Sequence, residues 1–333
     1  MLTKRQNLLE TIRGGKPDRY VNQYEPFQIL FANPYSVSGA FPQRGGAPVQ
    51  NAWGVWIAFP EGVPGPFPVH DEEHILLKDI TKWKDVVKAP NLDFPEEEWN
   101  KYLPMAQAID RSEVFVTQGF YTGVFEQLHY LMSIDKALMN FIEEPEAMKE
   151  LIDYITDWEV KYAREVCRHY HPDALFHHDD WGSQINSFLS PDMFNEFLTP
   201  AYKKIYGAWK EGGVEVVVHH SDSYAANLVP AMIEVGIDIF QGCVSTNNIP
   251  ELIKKYGDKI TFMGGIDNGK YDKADWTKES VMAIVRKVCE ECGTKSFIPC
   301  ATMGGPESTF PGAYDCVSEC IREINVEKFG ISG

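Results

Sequence analysis

Positive charge is scarce. The 333 residues carry 31 Lys and Arg against 48 Asp and Glu, a formal net charge of −17, and only nine of the basic residues are arginine. With no basic cluster to offset it, that balance excludes nucleic acid and anionic membrane surfaces as expected partners, since both reward a cationic face. No apolar run approaches the roughly 18 residues a bilayer-spanning helix needs. The opening MLTKRQNLLETIRGGK lacks the apolar core of a secretion signal, so the expectation is a cytoplasmic protein. Neither GxGxxG nor GxxxxGK[ST] is present, which removes the usual phosphate-cradling turns. Seven cysteines are an odd number for a disulfide framework, and the one Cys-x-x-Cys pair, Cys289 and Cys292, has no second pair to complete a zinc site. Reduced thiols are expected.

What is present is a regular alternation. From residue 112 onward short β-rich runs are each followed by a helix-length amphipathic segment. The strand candidates are 113–119, 174–178, 214–220, 237–241, 260–264 and 296–300, with an earlier one near 20–27. Helices are expected over 133–144, 145–170, 191–211, 225–235, 249–256, 277–291 and about 314–324. Repeated strand-then-helix units imply right-handed crossovers and a parallel sheet, and their number favours a closed (β/α)8 TIM barrel over an open doubly wound sheet. The length is compatible with a single barrel domain over 1–333, residues 1–110 forming an N-terminal extension with lid-like loops and 111–333 the regular repeats. The tract 30–70, rich in proline, glycine and aromatics, reads as a long packed loop that either buttresses the core or covers a site.

In a TIM barrel the chemistry sits where strands end. Those ends are crowded with acid–base and ligand types: His177-His178-Asp179-Asp180, His219-His220-Ser221-Asp222, Gln241, Asp267 and Cys300. Strand alternation places His220 and Asp222 on one side of the chain and His219 and Ser221 on the other. With Cys300 from another strand end this gives nitrogen, oxygen and sulfur donors, a mixture zinc accepts with a fourth position open. A hydrogen-bonded structural network has the same composition, and a lone Cys is commonly a buried small hydrophobe. Glu126 follows a strand and can reach the mouth, or can simply favour a helix dipole.

The segments NAWGVW, GVFEQLHYLM, HHDDWGSQ, SPDMFNEFLTPAYKKIYGAWKEGG, VVVHHSDSYAANLVPAMIEVGIDIFQ, FMGGID and FIPCATMGGPESTFPGAY together resemble the uroporphyrinogen decarboxylase superfamily, and within it the corrinoid-dependent methyltransferase branch. The resemblance runs through most of the chain and implies a TIM barrel. Uroporphyrinogen decarboxylases carry paired N-terminal arginines for the tetrapyrrole carboxylates; here only Arg19 lies in that stretch, which argues against decarboxylation. The methyltransferase branch binds zinc through His-x-Cys and a late Cys. Those positions are His220 and Cys300 here, with Asp222 in place of the middle Cys, a harder set suited to an oxygen ligand. This pattern looks like the O-demethylase members, which move a methyl group from a methyl ether, often an aryl one, to the cobalt of a corrinoid protein.

The resemblance therefore implies zinc held by His220, Asp222 and Cys300, with His178, Asp180 and Glu126 as catalytic candidates. Trp56, Tyr121, Gln241 and Asp267 are substrate-binding candidates, Trp53 and Phe59 being further aromatics for an aryl ring. The chain has no Asp-x-His-x-x-Gly motif, so cobalamin is expected on a partner corrinoid-binding protein. Transfer from methylcobalamin to a thiol or tetrahydrofolate, and a non-catalytic ligand-binding barrel, stay open as alternatives, as does a homo-oligomer.

Overall fold

The structure is a computed structural model that describes residues 1–63 and 65–331. Its centre is a curled parallel sheet of seven strands: β1 (Phe27–Leu30), β2 (Phe115–Phe120), β3 (Ala174–His178), β4 (Val216–His220), β5 (Ile239–Cys243), β6 (Thr261–Ile266) and β7 (Phe297–Ala301). They pair in chain order, each parallel to the next, with helices in the crossovers, as the TIM-barrel reading requires.

The first strand begins later than the sequence suggests, at Phe27. Ahead of it Gln23 adopts a left-handed φ of 51°. Its side-chain oxygen accepts from the amide of Ala301 at 3.0 Å, so one side chain bridges the seam between the first and last strands where no ladder forms among the described residues. Helix 145–170 has the expected bounds, with Pro145 in its first turn and His171 left-handed after its last. The expected helix 191–211 is two, Pro191–Phe197 and Thr199–Glu211, each with a proline in its first turn. The proline-rich tract is not wholly irregular: 49–50, 56–58 and 67–68 form a small antiparallel sheet, and buried Trp53 packs edge-on against Trp158 at 5.0 Å.

Strand alternation sets the barrel interior. Ala174 and Phe176 on β3, Val216 and Val218 on β4, and Ile298 on β7 share one buried apolar cluster, each large side chain worth about 1.5–3 kcal/mol of burial. The next inward positions, at the C-terminal ends, are His178, His220 and Cys300. The alternate residues His177 and His219 point outward beneath the helices, where the Tyr206 hydroxyl bonds both rings, at 3.3 and 2.8 Å.

A register shift between Gln241 and Cys243 turns the end of β5. Gly242 takes it up at φ +83°, where a Cβ would stand 2.8 Å from the backbone carbonyl of Ser221. Gly242→Ala is expected to cost about 1–3 kcal/mol in chemical denaturation. The control Gly207→Ala, in a helix with nothing within 4 Å of the added carbon, is expected to be neutral or stabilising by up to about 1 kcal/mol.

Candidate active site

Adjacent strands β3 and β4 pair in register, His178 opposite His220, and their imidazoles stack with centroids 4.4 Å apart. Each ring is oriented from behind. Nδ1 of His178 donates to the Glu126 carboxylate at 2.8 Å, and Nδ1 of His220 donates to the side-chain oxygen of Gln241, whose amide in turn reaches the carbonyl of Ala301. With both Nδ1 atoms committed, both Nε2 atoms are left for the space between them. Asp180 reaches the same side, with Oδ1 4.0 Å from Nε2 of His220. Ligand atoms of His178, Asp180 and His220 all lie within 4.8 Å of one another.

This grouping differs from the expected donor set. Of His220, Asp222 and Cys300, only His220 belongs to it; among the described residues Asp222 and Cys300 complete no three-donor group. The reason for Asp222 is that β4 ends at His220, so alternation no longer governs two residues on. Its amide instead donates to Oδ1 of Asp180 at 3.0 Å and its carboxylate faces Asp180 as a like charge. Cys300 is fully buried in the barrel interior, packed with Tyr24 and facing Gln23 and Gln241, and burial pushes its thiol well above the ordinary range. Gln241 thus stands against both His220 and Cys300.

Glu126 reaches His178 because Asp179, pointing the other way from its neighbours, clamps the start of helix Val124–Met132. Its oxygens accept the amides of Glu126 at 2.7 Å and Phe125 at 3.0 Å, and the indole of Trp181 and hydroxyl of Tyr202 close the network. Gly123 permits the approach, since a Cβ there would lie 2.5 Å from that of Asp179. Asp179 was visible in the sequence within HHDDWG but carries no motif that marks it as a clamp.

The electrostatics follow from burial and pairing. Burial alone would lower His178, but the charge and hydrogen bond of Glu126, with Asp180 and Asp179, outweigh it and raise the imidazole to about 10. Burial and the neighbouring His178 charge push His220 down to about 4, so it is neutral and available as a donor. Burial, then Asp180 and Glu126, push Asp222 up to about 8 against the pull of His178.

Of the expected substrate contacts, Tyr121 lies beside His178, ring centroids 5.0 Å apart, and stacks on Phe31, which the sequence did not single out. Gln241 serves His220. Asp267 is held by Ser245 and by Lys270 at 2.8 Å. Trp56 meets His74 edge-on, Trp53 is buried against Trp158, and Phe59 lies under Arg44.

The family model for uroporphyrinogen decarboxylase (URO-D) matches residues 49–324. The chain belongs to the uroporphyrinogen decarboxylase family. Among solved structures it is similar to a methyltransferase from Methanosarcina mazei, at 14% identity over 97% of this chain and 99% of that one, with a TM-score of 0.68. A B12-independent methionine synthase from Shewanella sp. W3-18-1, in complex with selenomethionine, matches at 14% identity over 72% of this chain and 70% of that one, with a TM-score of 0.46. No curated protein matches. The family match and the likeness to the Methanosarcina mazei structure carry the barrel, and the chemistry rests on the side chains. Among the described residues no helix is long and apolar enough to cross a membrane.

Two imidazole nitrogens and a carboxylate, with the far ring nitrogens tied to Glu126 and Gln241, are a donor set and a supporting shell that suit zinc with a position open. His178→Ala and His220→Ala are therefore expected to abolish stoichiometric zinc in competition titrations against a chromogenic chelator. Glu126→Gln is expected to weaken zinc by about 10–100-fold, and Cys300→Ala to retain it. Retention by both histidine variants with loss in Cys300→Ala would reverse the assignment.

Proposed function

We propose that this chain is a methyltransferase that takes the methyl group of a methoxylated substrate, an aryl methyl ether, and delivers it to the cob(I)alamin of a partner corrinoid protein. The observation that carries this is the convergence of His178, Asp180 and His220 at the strand ends, each imidazole oriented by its own acceptor. Zinc bound there would supply Lewis-acid stabilisation of the negative charge that develops on the leaving oxygen, a contribution of several kcal/mol. In the displacement the cobalt electron pair forms the new bond to the methyl carbon, and the C–O pair departs with the oxygen, which then takes a proton.

The chain's own residues do the rest. Glu126 and Gln241 fix which nitrogen of each imidazole faces the reacting oxygen. Without metal His178 is held protonated by Glu126; zinc bound at Nε2 would displace that proton and leave the imidazole a neutral ligand whose Nδ1–H stays on Glu126. Phe31 and Tyr121 offer a stacked aromatic face beside it.

Decarboxylation of a tetrapyrrole, the reaction in the family's name, finds no support in the side chains. Arg19 is 2% exposed and its guanidinium is spent on Asp18 at 2.6 Å and on the carbonyl of Leu2, so it grips no substrate carboxylate.

Supplied with a reduced corrinoid protein and a panel of aryl methyl ethers, the chain is expected to release the phenol as the cobalt spectrum changes from the Co(I) to the methyl–Co(III) form. His220→Ala is expected to slow this by at least about 100-fold. Demethylation at the parent rate in that variant would overturn the reading.

A further inference from the structure

We propose that the seam between the first and last strands holds a second binding site, apart from the donors, for a small zwitterion of the amino-acid class. This goes beyond the methyl-transfer reading and does not rest on it.

The seam encloses a hollow of about 280 Å³. That lies just below the roughly 300–1,000 Å³ of pockets that take drug-sized ligands, so it suits a smaller guest. Lys4 lines it from the first helix (Lys4–Ile12), Gln23, Tyr24 and Glu25 from the segment ahead of β1, and Ser318 and Arg322 from the last helix (Ala313–Phe329). None of the donor residues takes part.

The walls are fixed by contacts across the seam. Gln23 is 1% exposed; its side-chain amide donates to the Ser318 hydroxyl at 2.7 Å, while its oxygen holds the amide of Ala301. Asn22 donates to the carbonyl of Ser318 at 2.9 Å. Tyr24 stands between the hollow and the barrel interior, its ring edge-on to Phe176 at 6.0 Å.

The charges on those walls are held short of contact. Among the described residues Lys4 and Arg322 form no ion pair with any carboxylate, and Glu25 forms none with any cation. Glu25 is anchored instead by the amide of Asn22 at 3.0 Å. Burial pushes its carboxyl up, and the Asn22 amide, Arg19, Lys4 and Arg322 pull it back, so the two cations act on Glu25 through the hollow without touching it. A plain carboxylate entering there satisfies the cations and opposes Glu25; a plain amine does the reverse. A guest with an ammonium at one end and a carboxylate at the other meets all three groups. Once bound, it ties both helices to the segment ahead of β1, where the strands do not ladder.

The test is isothermal titration of the full chain with L-alanine, L-serine and L-glutamine, and with propionate and ethylammonium, which are alanine without its amine and without its carboxylate. At least one of the amino acids is expected to bind, at least about tenfold tighter than either single-sign probe, since each lost charge-assisted contact is worth about 1.5–3 kcal/mol. Arg322→Ala, at an exposed position that leaves folding intact, and Glu25→Gln are each expected to weaken that binding by at least about tenfold. His220→Ala is expected to keep it. No binding by any amino acid, equal binding of propionate or ethylammonium, or parent affinity in Arg322→Ala would overturn the proposal, as would loss of binding in His220→Ala, which would place the guest at the barrel mouth.

Discussion

The site depends on which nitrogen of each histidine is free. Imidazole can present either face, and in two parallel strands that pair residue for residue the rings could equally have bonded to each other's surroundings. Glu126 and Gln241 remove that ambiguity by accepting from Nδ1, which leaves Nε2 of each ring to take part in the grouping with Asp180. Everything proposed for this chain, from cation binding to departure of the oxygen, presupposes that pair of hydrogen bonds.

The two orienting groups are secured differently. Glu126 rides on the first turn of a helix whose amides are gripped by Asp179, from the same strand end that carries His178. Carboxylate and imidazole therefore belong to one rigid unit, and the close approach is possible only because residue 123 lacks a side chain. Gln241 is set by the irregular end of β5, where a left-handed glycine lets that strand depart from its register. In both cases the backbone is shaped first and the polar contact follows.

Much of this was legible in the sequence, and the failures have physical causes. The strand–helix alternation located the barrel, because strands buried on both faces and amphipathic helices leave clear periodic traces; 174–178, 145–170 and 249–256 were read to the residue. His220 was rightly set apart from His219, since pleating applies as long as the strand lasts. The same rule lapses at Asp222, two residues beyond the strand, and the position of Cys300 depended on side chains from other strands that no local pattern encodes. Histidine 178 and Asp180 were singled out for catalysis, but their meeting with His220 arises from lateral pairing between strands forty residues apart. Phe31 and Asp179 act through contacts across the fold and left no local signature.

The unladdered seam also bears on mechanics. The donors sit on β3 and β4, near the middle of the strand order, while the join spanned by Gln23 lies between its two ends. A cylinder slit on one side yields there first when something presses on its rim. A macromolecular visitor could thus deform the far wall of the mouth while the imidazole spacing stays unaltered.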